Sequence, residues 1–473
     1  MSTPAPPSGQ VEQRTIEHVP VDERHGRARD LFTVWFGSNI MILTIVTGAL
    51  ATVRFQLSML AAILAILAGN LVGGVFMALH AAQGPQLGVP QMVQSRGQFG
   101  SFGAIFVVAL VVVMYLGFVA SNLVLGGESL HSIAGGISDR SGIVIIALLS
   151  VAAAIYGYDL IHAYARWMTW FCGAALAACF VWIVAVDGLP AGLWQQGGAS
   201  VSGILGMISV GALWQIAYAP YVSDYSRYMP ADSGVRPTFW ASYWGCVLGS
   251  VLPMLLGALL GLTVPDKNIV AGLASATQPI SIAIVAIFSV GIGATTAMNI
   301  YCGVLSTITV AQTFKAEWRA DAAARIVLSL IFILLALAMA LWGAKNFMVN
   351  YENFLSLLLC VMAPWTAINL VDFYLVQHGR YDVASFFAAD GGIYGRYNAT
   401  ALFCYALGVL VQVPFLATDL YTGPAARALS GVDISWLISI AIVSPLYYIL
   451  AQRSGRARLG VEAIASPIAR EAE

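Results

Sequence analysis

The stretch WFGSNIMILTIVTG, Trp35 to Gly48, sits inside an apolar run that extends from about 31 to 52. About 20 apolar residues are enough to cross a bilayer as a helix. This run nonetheless carries Gly37, Ser38 and Asn39 near its start, then Thr44, Thr47 and Gly48. Irregular backbone within a membrane survives only where it lines a cavity or is buried in protein. The stretch therefore predicts a spanning helix interrupted part-way. A second run of the same kind, near 203–222, holds Gly203, Gly206, Ser209 and Gly211, followed by Trp214, Gln215, Tyr218 and Pro220. Glycine also serves close helix packing, the reading given to Gly69 and Gly73. A proline together with amide and aromatic side chains tilts the second run towards a binding break. Interrupted helices at mid-membrane are where many transporters hold their cargo.

Working outward, the remaining apolar runs lie near 57–80, 101–126, 141–159, 166–187, 238–263, 279–303, 325–345, 351–376, 398–418 and 432–451. With the two already named they make twelve expected spans, and the interrupted ones are the first and the sixth. That spacing is what an inverted five-plus-five repeat requires. Of the 473 residues, 59% are hydrophobic and 10% charged, and mean hydropathy is +0.82. A soluble chain carries roughly 25% charged residues, so one membrane domain replaces the two or three soluble domains that length alone suggests. With both termini inside, 17 of the 22 basic residues fall on the cytoplasmic side and only Arg54, Arg140, Lys267, Lys345 and Arg427 on the other, as the positive-inside rule demands. Residues 1–30 and 453–473 read as cytoplasmic tails, the first of them disordered. The short tails suit a bacterial inner membrane. The six cysteines lie in or beside apolar runs without a C-x-x-C pair and read as small core residues.

In the eighth span Thr295, Thr296 and Asn299 interrupt an apolar helix. Hydroxyl and carbonyl oxygens suit a hard cation such as Na⁺, although threonine also bonds back to its own helix. Asp224 and Arg227 straddle the end of the sixth span and read as an ion pair or gate element. Asp159 and His162 read as a solvated cap. No metalloprotease helix, phosphate-cradling loop or nucleophile beside a base occurs. An enzyme is not expected, and neither is a cofactor or a nucleic-acid partner.

Four segments in order resemble the nucleobase:cation symporter-1, or purine/cytosine permease, family. They are Trp35-Phe36-Gly37 through Thr47-Gly48; Gly69-Asn70-Leu71 with Gly84 to Gly88 and Ser95 to Gly100; Ser223 to Tyr228; and Asp372-Phe373-Tyr374 through Arg380-Tyr381-Asp382. The likeness runs from Asp30 to about Gln452. It implies an all-α membrane fold of the sodium-symporter type. Repeat one would cover about 31–187, repeat two about 203–376, and two peripheral helices about 398–451. It also implies secondary active import of a nucleobase such as cytosine or a purine, or of a related heterocycle such as allantoin, by cation symport with alternating access.

Carried over residue by residue, the family's third-span aromatic falls on Tyr115 and its following amide on Val119, with Asn122 nearby. The sixth-span aromatic falls on Gln215, with Trp214 adjacent, so the register there stays open. Asn39 and Asn299 are candidates for pairing the ligand edge. The resemblance places a coupling cation, Na⁺ or H⁺, on Thr295, Thr296 and the carbonyls of Ile292, Gly37 and Ile40 or Met41. An amino-acid or amine symporter of the same fold is the nearest alternative, and a channel or receptor a more distant one.

Overall fold

The computed structural model describes residues 15–156, 158–186, 188–189, 191–263, 268–315, 317–318 and 320–456, without the side chains of 152–166, 233 and 294. Asp159 and His162 therefore lie outside the described side chains, as do residues 1–14 and 457–473 of the two expected tails.

The first span is two helices, α1 (Ala28–Asn39) and α2 (Ile42–Val53), bent by 62°. Ile40 and Met41 are non-helical, with ψ of 82° and 167°, so the helical ladder cannot pass through them. Local hydrogen bonds replace part of what is lost: the Thr44 hydroxyl and the Met41 backbone amide both donate to the Asn39 carbonyl. The break falls just after the Gly-Ser-Asn run, at the expected end of the span.

Next comes α3 (Met59–Ala81), whose N-cap Ser58 accepts from the Ala61 amide. Two short helices follow, α4 (Gly84–Leu87) and α5 (Gln91–Phe99). Then come α6 (Gly103–Ile133), α7 (Asp139–Tyr156) and α8 (Tyr158–Val181). The sixth span is α9 (Val201–Ile216) and α10 (Ala219–Ser226). The interruption falls within the expected run, at its proline end and not among its glycines. The interruption is at Ala217–Tyr218, next to Pro220, whose missing N–H breaks the ladder. The glycines upstream are packing sites: Gly206 sits against the Phe55 ring and Gly211 against Asn70.

The chain continues through α11 (Val235–Thr263), α12 (Ile269–Ala276), α13 (Ser281–Phe314), α14 (Ala322–Gly343), α15 (Phe347–Val371), α16 (Ala399–Leu410), α17 (Pro424–Ala428) and α18 (Ser435–Arg453). Among the described residues eight helical runs are long and apolar enough to cross a membrane, or nine with the bent α1–α2 pair. One run, Ala322–Val376, has 55 residues. At about 1.5 Å per residue it far exceeds a hydrocarbon core of about 30 Å. A 3₁₀ turn at Ala344–Asn346 divides it into α14 and α15. Each of the twelve expected ranges falls on a helix.

Packing sorts the helices into groups. The α1–α2 pair, α3, α9 and α11 pack on one another, while α6, α7, α8, α13 and α14 form a second body. In the first body backbones touch. A Cβ on Gly48 would come within 2.0 Å of the Met254 carbonyl, and one on Gly73 within 2.5 Å of the Ala212 carbonyl. Gly69 likewise meets the Ile208 carbonyl, so Gly69 and Gly73 are the close-packing residues they were read to be.

The two described chain ends share one side of the bundle. Arg456 donates to the Gly97 carbonyl at the end of α5. Near the other end the Val19 amide donates to the Gly88 carbonyl, and Arg227 donates to the Thr15 carbonyl. This side is called the tail side below, and the opposite one the far side. Residues 15–27 thus correct the expected disordered tail: Ile16 and Val19 are buried, and Arg24 donates to the carbonyls of Val19 and Pro85.

Candidate functional site

The break in α1–α2, the break between α9 and α10, and the middles of α6 and α13 converge on one cavity. It is nearly filled, with a free volume of about 10 Å³, about the room one water needs. Its aromatic wall is Phe118, Trp214, Tyr218 and Tyr221. Phe118 and Trp214 meet edge to face, 6.1 Å between centroids at 86°. Asn122, Asn299 and Thr295 supply its polar groups, and Met41, Leu43 and Ala217 complete it. No charged side chain lines it.

Asn122 is fully buried, and neither its Nδ2 nor its Oδ1 has a hydrogen-bond partner. Leaving such a group unpaired costs about 1–3 kcal/mol. A ligand presenting one donor beside one acceptor recovers that loss. The other amide, Asn299, is already engaged: it donates from Nδ2 to the Thr295 carbonyl at 2.7 Å and accepts from the Tyr221 hydroxyl.

The expected site residues divide. Trp214, Asn299 and Thr295 line the cavity. Tyr115 does not; it stands behind Tyr221, edge-on, with ring centroids 4.6 Å apart. The aromatic that α6 presents is Phe118, and the amide one turn on is Asn122. The carried-over pair of Tyr115 and Val119 is thus displaced by three residues along the helix. Gln215 turns away as well, donating to Asn70 Oδ1 at 2.8 Å, Ser250 Oγ at 3.1 Å and the Cys246 carbonyl at 3.3 Å. The open register in the sixth span therefore falls to Trp214. Asn39 is buried beside the cavity without lining it, and its Oδ1 accepts from Trp214 Nε1 at 2.8 Å.

The expected cation ligands gather around the first-span break. Thr295 Oγ1 donates to the Ser38 carbonyl at 3.1 Å and to the Gly291 carbonyl at 3.3 Å. The Ile40 carbonyl points at α13, 3.3 Å from where a Cβ on Gly291 would lie. The other carbonyls are engaged: Gly37 by the Ile40 amide, Met41 by the amides of Thr44 and Ile45, and Ile292 by Thr296 Oγ1 at 2.7 Å. Ser38, absent from the expected set, is the first-span residue whose carbonyl meets an eighth-span threonine hydroxyl.

A broken-helix membrane bundle with a neutral, aromatic-walled central cavity defines a permease of small molecules. The model of the family described as "Permease for cytosine/purines, uracil, thiamine, allantoin" matches residues 18–439, and the chain belongs to that family of transporters, not to an enzyme family. It is 40% identical over 454 residues to a putative purine-cytosine permease, YxlA, of Bacillus subtilis, covering 96% of this chain and 98% of that protein. The purine-cytosine permease fcyB of Emericella nidulans is 24% identical, over 93% of this chain and 88% of its own length. Among solved structures, MHP1, titled a nucleobase-cation-symport-1 family transporter in a closed conformation with bromovinylhydantoin bound, superposes with a TM-score of 0.74 at 17% identity. That match covers 95% of this chain and 96% of the other. A Na⁺-coupled sialic acid symporter in a substrate-bound outward-open state gives 0.60 at 12% identity, covering 91% and 90%. These likenesses establish the sodium-symporter type of fold.

Proposed function

We propose that the chain imports a neutral, planar nucleobase of the cytosine or purine class, by symport with a cation and alternating access between its two sides. The observation that carries this reading is Asn122: a buried carboxamide with both polar atoms unpaired, one turn from Phe118. Cytosine and the purines present adjacent donors and acceptors on their edges and flat faces to aromatic rings. The uncharged lining disfavours zwitterionic amino acids and amines, whose charges would be buried without partners. Neutral oxygens at Ser38, Ile40 and Thr295 support Na⁺ as the coupling ion. A proton would need a titratable carrier, and no Asp, Glu or His lines the cavity. The charge pattern of the loops supports both termini in the cytoplasm, and the two inverted repeats would rock about the site.

Uptake of labelled cytosine, adenine, guanine and uracil into proteoliposomes, under separately imposed Na⁺ and pH gradients, tests the reading. Saturable accumulation of a base under the Na⁺ gradient is expected. In the same assay Asn122→Ala weakens apparent affinity at least about fivefold, as loss of a ligand hydrogen bond implies, with unchanged yield of folded protein. Accumulation under the pH gradient alone would replace Na⁺ with H⁺, and failure of every base would overturn the substrate class.

A further inference from the structure

We infer that Asn39 is a positioning residue that couples the cation to the bound base, an inference that rests on the symport reading above. In the chain Asn39 stands between Ser38 and Ile40, whose carbonyls face Thr295 and Gly291 of α13. Its side chain reaches the other way. Oδ1 accepts from Trp214 Nε1 and from Ser250 Oγ, each at 2.8 Å. Nδ2 donates to the Trp35 carbonyl at 2.7 Å and to Cys246 Sγ at 3.3 Å. Its own carbonyl accepts from the Met41 amide at 3.1 Å and from the Thr44 hydroxyl.

Every polar atom of this carboxamide is engaged, and none of them borders the cavity. The Asn39 side chain therefore acts on the ligand through the Trp214 indole, which does line it. A cation among the Ser38, Ile40 and Thr295 oxygens fixes the backbone on either side of Asn39. The Asn39–Trp214 bond then fixes the indole on which the base rests. The same link works in reverse, because coupling between two bound ligands is reciprocal. Elsewhere in α9 the neighbouring Gln215 is tied to Asn70 and Ser250, so the helix itself is held and the indole is the adjustable part.

The test is equilibrium binding of labelled cytosine to the purified full-length protein, with Na⁺ or an equal concentration of choline. Wild type is expected to bind about 5–150-fold tighter in Na⁺, the usual range of such coupling. In Asn39→Ala the two affinities converge to within about threefold. Trp214→Phe keeps a ring but removes the N–H, and its Na⁺ ratio collapses likewise. Because both variants break one link, the double variant loses no more of the ratio than either single one. A wild-type ratio retained in Asn39→Ala, with both affinities shifted together, overturns the proposal and leaves symport standing. So does loss in two independent steps. A wild type that binds cytosine no better in Na⁺ overturns the proposal together with the Na⁺ reading. If Asn39→Ala does not fold, Trp214→Phe carries the test alone, and a preserved ratio there overturns it.

Discussion

On the far side of the cavity the closure lies where α2 meets α15. Tyr351 Oη lies 2.8 Å from Thr47 Oγ1, Phe354 rests on Phe118, and Arg54 reaches Glu352 at 2.6 Å and Asp419 at 2.5 Å. The Arg54 side chain is 46% exposed, so water competes for its charges. On the tail side the closure is deep and buried. Asp224 Oδ1 accepts from the Gln91 amide at the start of α5, a carboxylate placed where a helix N-terminus favours negative charge. From Gln91 a chain of side-chain hydrogen bonds runs through Gln83, Asn369, Gln98 and Tyr381 to Asp372. There Asp372 meets Arg456 at 3.1 Å and accepts from Tyr447 at 2.8 Å.

The difference is one of solvent. Opening the far side breaks a buried hydroxyl pair and an ion triad in which Arg54 and Asp419 are partly exposed. Opening the tail side must hydrate a buried carboxylate, its guanidinium and a line of amides. In this arrangement the fully buried charges lie on the tail side, which makes access from the far side the cheaper motion.

Three variants break or sharpen this contrast. Asp372→Ala should have the largest effect, because it strands the buried Arg456 charge at about 3–5 kcal/mol. A drop of several degrees in thermal unfolding of the purified protein is expected, and an unchanged midpoint would remove the tail-side network from the account. Gln83→Leu cuts the amide chain midway, at about 1–3 kcal/mol. It should raise maleimide labelling of Cys302, a buried thiol on α13 beyond Asn299 towards the tail side. A labelling rate equal to that of wild type would mean the chain does not hold that side shut. Arg54→Ala is the mildest, about 0.2–1 kcal/mol for an exposed pair. Its effect on base affinity should fade at high ionic strength, where screening already weakens the wild-type bridge. A large, salt-independent loss would show the far side to be as deeply held as the tail side.

Hydropathy made the long apolar helices legible, eight or nine of them long enough to span a membrane among the described residues, since each must be apolar for most of its length whatever it packs against. The first break was legible too, because Gly37, Ser38 and Asn39 have no reason to cluster in a continuous apolar helix. Register was not. Residues 115, 118, 119 and 122 share one face of α6, and which of them meets the ligand depends on how far along the bundle the two breaks sit. That is a long-range property, and it puts Phe118 and Asn122, not Tyr115, on the cavity. In α9, Trp214 and Gln215 are a quarter-turn apart, and only the position of Asn70 and Ser250 decides which faces inward. The strap at 15–27 was hidden for another reason. Arg24 bonds the Pro85 carbonyl of α4 and Arg227 bonds the Thr15 carbonyl, and no local pattern announces either.

The glycine contacts between α2 and α11 and between α3 and α9 have a mechanical consequence. Where Gly48 meets Met254 and Gly73 meets Ala212, main chain lies on main chain, with no rotamers between to absorb displacement. A linkage built this way has almost no backlash. A push of a fraction of an ångström at the first-span break arrives at the far end of the same body nearly undiminished, instead of being lost in side-chain rearrangement.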